Sequence, residues 1–152
     1  LLHKPRILLL DEPTTGLDPS VRQEIWEKLE ELRQKENLTI VLSTHYMDEA
    51  EKLCQRLFVM ANGKIIIKGR PKEIIRNKAK SFALEIRSRS KSEALINTSI
   101  DITAIKRGNS HIYFAENTED LTPLMDSYDS EEMIMRPSNL EDVFLYFIER
   151  ND

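Results

Sequence analysis

The chain has 152 residues, 40% of them apolar and 32% charged, enough for one modest core or two small ones and too apolar for wholesale disorder. A formal net charge of −4 offers no basic footprint for a phosphate backbone, so nucleic acid is not an expected partner. The single cysteine, Cys54, excludes an internal disulfide and fits a reducing compartment, and no His or Cys cluster has metal-ligand spacing.

The sequence opens on Leu1 rather than Met, and Leu1-Leu2-His3-Lys4-Pro5 has the look of a helix end. An N-terminal truncation is therefore expected, and no signal peptide is read. Arg6-Ile7-Leu8-Leu9-Leu10 follows as an unalternated apolar run, the pattern of a strand buried on both faces of a parallel sheet. It is far shorter than the ~20 residues of a membrane-spanning helix. Asp18 can cap a helix that starts on Pro19, with Val21, Ile25, Leu29 and Leu32 along one face and Asn37 at its end.

Leu38-Thr39-Ile40-Val41-Leu42 is a second β-branched run, so strand, helix and strand succeed one another as in a βαβ crossover, and the class is α/β. A short helix at Met47 to Cys54, a strand at Leu57 to Met60, and an Asn62-Gly63 turn into Ile65-Ile66-Ile67 complete a first domain over residues 1–75.

A second, small α+β domain is read over residues 80–152. Strict alternation begins at Phe82, Leu84 and Ile86. Strands at 82–88, 102–107, 111–115 and 131–136, with helices near 91–97 and 119–127, give the order βαββαβ of the ferredoxin-like pattern. A final helix carries the stripe Leu140, Val143, Phe144, Phe147 and Ile148, capped by Ser138 or Asn139, with Glu141 and Asp142 at its positive end. The stripe reads as packing on its own domain, and Met125, Met133 and Met135 read as core filler. The basic residues Lys78, Lys80, Arg87, Arg89 and Lys91 read as a solvated face, with anionic lipid headgroups as the weaker alternative.

The chemistry-bearing residues sit where the first two strands end. Asp11-Glu12-Pro13 places two carboxylates at the C-terminal end of a strand, the edge at which open α/β sheets bind ligands. The first could hold Mg²⁺, largely through water, and the second could orient and deprotonate a water for in-line attack on a phosphate. Taken alone, the pair reads equally well as two solvated acids. Thr14-Thr15-Gly16-Leu17-Asp18-Pro19, and Leu42-Ser43-Thr44-His45 at the next strand end, add a second polar cluster to the same edge.

LLLLDEPTTGLDP followed by VLSTHYMDEAE resembles the ATP-binding subunit of ABC transporters: Walker B, the D-loop, then the switch histidine. Together with the closing PSNLEDVFL, the sequence is similar to ATPases of ABC-2-type drug or sodium exporters, closely over residues 1–70 and beyond that only at LEDVFL. The resemblance implies the C-terminal half of a P-loop NTPase sheet followed by an accessory unit. It further implies Asp11 as the Mg²⁺ residue, Glu12 as catalytic base, His45 as γ-phosphate sensor, and Gly16, Leu17 and Asp18 as the loop that faces a second subunit. ATP and Mg²⁺ are the implied cofactors. The implied partners are a second ATPase subunit in a head-to-tail dimer and an integral membrane permease, which would hold the chain at the cytoplasmic face of the membrane. His3 and His111 have no such context.

The family's glycine-rich phosphate loop, its Q-loop glutamine and its LSGGQ-like signature are not among these residues. Gly16, Gly63, Gly69 and Gly108 are too scattered to form a phosphate nest, so the chain alone is expected neither to bind ATP tightly nor to hydrolyse it. Two other readings compete: an ABC ATPase of DNA repair or translation, for whose long inserts the interval from Asp11 to His45 has no room, and a non-catalytic or partner-binding remnant.

Overall fold

A computed structural model describes residues 5–36, 38–87, 102–128 and 132–151. They form two compact units, Leu1–Leu57 and Phe58–Asp152. The change of texture near residues 75–80 lies inside the second unit, where a helix gives way to a four-stranded sheet.

In the first unit, β1 (Ile7–Asp11) pairs in parallel with β2 (Thr39–Ser43), Ile7 opposite Thr39 and Asp11 opposite Ser43. Between them runs α1 (Pro19–Glu36), and α2 (Met47–Leu53) follows β2. The expectation of strands buried on both faces is corrected: Ile7, Leu9 and Val41 are 60%, 74% and 55% exposed. These β-strands form a sheet of two, and among the described residues Ile7, Leu9 and Val41 on one of its faces stay exposed.

Along the expected face of α1, Leu29 is buried, Ile25 and Leu32 are half-buried, and Val21 lies exposed. Trp26, which the expected stripe did not include, is buried as deeply as Leu29. Asp18 caps the helix as expected: its Oδ1 accepts from the backbone N–H groups of Ser20 at 3.1 Å and Val21 at 3.0 Å.

The second unit contains most of the hairpin β3 (Leu57–Ala61) and β4 (Lys64–Gly69), then α3 (Pro71–Ala79). Asn62 and Gly63 join the two strands with φ of +50° and +72°, the paired left-handed conformation that a two-residue hairpin of type I′ requires. The sheet that follows has the order β6 (Thr103–Arg107), β7 (Ser110–Ala115), β5 (Phe82–Arg87), β8 (Met133–Pro137), with every pairing antiparallel. Strand order and direction match the expected βαββαβ arrangement, whose first helix, near 91–97, lies outside the described residues.

Where a helix over 119–127 was expected there is a 3₁₀ turn, Thr118–Leu121, and a single turn of α4 (Thr122–Met125). Pro123 has a fixed φ and no N–H, so it suits the first turn of a helix and not its middle.

Leu84 and Ile86 of β5 meet Tyr113, Ala115, Leu121 and Leu124 in one core cluster, with Met125, Met133 and Met135 packed against it. The final helix α5 (Leu140–Asn151) packs on α3 within the same unit, with Leu140 and Val143 buried. Asn139 is its cap: Asn139 Oδ1 accepts from the Asp142 N–H at 3.0 Å, and Asp142 Oδ2 accepts from the Asn139 N–H at 2.9 Å. Ser138 instead donates its hydroxyl to the Ala79 carbonyl at 3.0 Å.

Candidate functional site

Because β1 and β2 run in parallel and in register, they deliver Asp11 and Ser43 side by side at their C-terminal ends, and the Ser43 hydroxyl donates to the Asp11 carboxylate. The chain then turns sharply. Glu12 adopts φ +43°, a conformation costly for a residue with a Cβ, and its N–H donates to the Ser43 carbonyl at 3.0 Å. That turn carries the Glu12 side chain across to the loop after β2. Its Oε1 lies 3.2 Å from His45 Nδ1, and its Oε2 accepts from the Thr15 hydroxyl at 3.0 Å.

The side chains of His45 and Glu12 are 55% and 46% exposed, so the pair is open to a ligand. Such an exposed pair adds little to stability, about 0–1 kcal/mol. The imidazole is backed by Tyr46, ring to ring at 4.2 Å, and Tyr46 in turn lies under the Arg22 guanidinium at 4.4 Å. Arg22 also reaches Asp48 at 3.5 Å, so α1 braces the histidine loop.

Of the residues singled out from the sequence, Asp11, Glu12 and His45 come together at this edge. Gly16, Leu17 and Asp18 lie in the turn that leads from Glu12 into α1, with Gly16 at φ +78°. The Asp18 carboxylate serves the helix: the Ser20 hydroxyl at 2.6 Å, and after it the Val21 N–H, hold its carboxyl below the usual carboxylate range.

The donors at the strand ends are all oxygens, from Asp11, Ser43 and Glu12, a set that suits a hard cation such as Mg²⁺, which takes one or two protein carboxylates and completes its shell with water and phosphate. Among the described residues no group of three or more His, Cys, Asp or Glu could hold a metal ion by itself.

The sequence reading missed a buried network beneath the pair. Thr14 and Glu49 are both 0% exposed. Glu49 Oε1 accepts from the Thr14 hydroxyl at 2.8 Å and from Trp26 Nε1 at 2.9 Å. Among the described residues, Glu49 Oε2 and Arg22 Nε are buried without a hydrogen-bond partner. Leaving such a group unsatisfied costs about 1–3 kcal/mol. Burial first, and then the Glu49 carboxylate, push the Cys54 thiol up, which keeps it an inert thiol. In the run Asp48-Glu49-Ala50-Glu51 nothing local marks Glu49 as the buried acid. Its burial follows from the packing of Thr14 and Trp26 around it.

No protein-family model matches the chain. Curated relatives do. Nod factor export ATP-binding protein I of Neorhizobium galegae is 36% identical over 146 residues, which are 95% of this chain and 42% of the relative. Its counterpart in Rhizobium meliloti is 40% identical over 147 residues, 95% of this chain and 43% of the relative. The solved structure of cbiO1 from Clostridium perfringens, described as part of the ABC transporter complex cbiONQ, covers 49% of this chain and 30% of its own, at 41% identity and a TM-score of 0.46.

The chain spans less than half the length of the curated relatives it matches. The curated matches extend over 95% of the chain, beyond the residues 1–70 on which the close resemblance was read. With identity at this level over nearly its whole length, the chain is similar to a part of these ATP-binding export subunits, and in this chain that part holds Asp11, Glu12 and His45.

Proposed function

We propose that the chain acts as part of an ATP-hydrolysing subunit of an ABC-type exporter. The observation that carries this reading is the 3.2 Å approach of His45 Nδ1 to Glu12 Oε1 at the strand edge where Asp11 also ends. In this reading the Glu12 carboxylate orients a water and takes its proton as the water attacks the γ-phosphate. His45, with Nδ1 on Glu12, has Nε2 free to meet a phosphate oxygen as a hydrogen-bond donor. Asp11, which accepts from the Ser43 hydroxyl, would hold Mg²⁺. When bound, the ion neutralises charge that develops on the phosphate oxygens.

Gly16, Leu17 and Asp18 face a second ATPase subunit in a head-to-tail pair, and a separate permease in the membrane uses the energy. Among the described residues no helix is long and apolar enough to cross a membrane, so the permease in this reading holds the chain at the cytoplasmic face. The export direction is supported by relatives named for Nod factor export, whose cargo is not carried over to this chain.

The test is ATP turnover by a chimera in which the preceding part of the Rhizobium meliloti relative is fused ahead of Leu1. Hydrolysis is expected. A chimera that folds and binds ATP but releases no phosphate would favour a non-catalytic, partner-binding role instead.

A further inference from the structure

Glu12 and His45 meet across two loops that leave different strands, and exposed side chains on such loops are not held at 3.2 Å by each other alone. Beneath the pair, each loop has an anchor. Thr14, next but one to Glu12, is completely buried, and so is Glu49, in the first turn of the helix that follows His45. The two anchors are hydrogen-bonded to one another at 2.8 Å, and Trp26 of α1 donates to the same carboxylate oxygen at 2.9 Å.

Burying a carboxylate with one oxygen unpartnered is unfavourable, and a leucine of similar volume would avoid that cost. A carboxylate at such a position gives one geometric benefit that an apolar side chain does not: it joins three elements at a defined point. Arg22 stacks on Tyr46 and pairs with Asp48 from the same helix, so both loops are referred to α1.

We infer that Glu49 is a positioning residue, whose buried carboxylate ties the loop carrying Glu12, through Thr14, to the helix behind His45 and so sets the approach of that pair. It acts through Thr14 and does not touch a reacting atom. Its functional meaning rests on the reading of Glu12 and His45 as the reacting pair, but the geometric coupling is testable without nucleotide.

The probe is the His45 ring resonances of the isotope-labelled 152-residue chain. Glu12→Gln is expected to shift these resonances in the wild-type background, and to do so in the Glu49→Gln background, where an amide oxygen still accepts from Thr14 and Trp26. In the Glu49→Ala and Thr14→Val backgrounds the same shift is expected to shrink at least about threefold, a non-additivity of the kind coupled residues show. Trp26 is the single tryptophan, so its indole N–H resonance reports directly whether the bond to Glu49 has been lost. A displaced indole signal in Glu49→Ala with an undiminished Glu12→Gln effect at His45 overturns the inference. Should Glu49→Ala fail to fold, Thr14→Val, which removes only the hydroxyl, decides the matter in the same way. Loss of the coupling role with ATP turnover of the chimera intact removes Glu49 alone. An intact coupling beside a chimera that does not hydrolyse ATP removes the functional reading alone.

Discussion

His45 Nδ1 stands 3.2 Å from Glu12 Oε1, a contact made by parallel strands in register rather than by proximity in the chain. If Glu12 is the general base, replacing it by glutamine keeps the shape and removes the proton acceptor. In the chimera, Glu12→Gln is expected to lower kcat by about 10²–10⁴-fold. KM for ATP should change little, since the group acts mainly in the transition state. Steady-state phosphate release measures both. Equal turnover in the variant would remove Glu12 from that role. The 152-residue chain by itself is expected to show no turnover, because its four glycines form no phosphate nest.

Leu9 and Val41 lie directly opposite one another on the exposed face of the β1–β2 sheet, with Ile7 beside them. A flat apolar face with open strand edges favours association between copies. Sedimentation velocity of the purified chain is expected to show concentration-dependent oligomers, and Leu9→Thr with Val41→Thr should shift the distribution toward monomer. A monodisperse monomer at all concentrations contradicts this.

Arg136 holds Asp142 with two hydrogen bonds, at 2.6 Å and 2.7 Å, while Asp142 is 1% exposed. The side-chain hydrogen bond it donates to Asp142 holds the Arg136 guanidinium above its usual range. Removing one partner leaves a buried charge uncompensated, so Arg136→Met is expected to destabilise the second unit by about 3 kcal/mol, the low end for such pairs because Arg136 is partly open to solvent. Urea denaturation followed by circular dichroism gives the value, and a midpoint unchanged from wild type would show that the pair is not needed.

The Asp18 carboxyl is held below its ordinary value of 3.8 by the Ser20 hydroxyl and the Val21 N–H. A carboxylate whose folded value is depressed stabilises the fold above its unfolded value, and that contribution is lost as pH falls through the folded one. Asp18→Ala is therefore expected to lower the melting temperature at pH 7. The gap from wild type should narrow as pH falls below 3.8, whereas Asp18→Asn, which retains an acceptor, should lose less at every pH. Thermal melts of the three chains between pH 7 and acid check the sign.

Strand, helix and turn positions were legible wherever a local rule applied. Asp18-Pro19 begins a helix, Asn62-Gly63 closes a hairpin, and alternation at Phe82, Leu84 and Ile86 picks out a core face. Pro123 was the local signal whose effect was underestimated. Trp26 was missed because helical periodicity tolerates a shift of one position, and only packing shows which line of residues faces inward.

By itself, the sequence determined the order of the described elements and placed Asp11, Glu12 and His45 at or just beyond the ends of the first two strands, because strand-end position and turn chemistry depend on residues close together in the chain. Tertiary structure alone decided that Glu12 and His45 touch, that one face of the first two strands stays open, and that Glu49 rather than Asp48 or Glu51 is buried. Burial is a property of what packs from elsewhere: neighbouring acids in one helical turn are chemically alike until Thr14 and Trp26 converge on one of them.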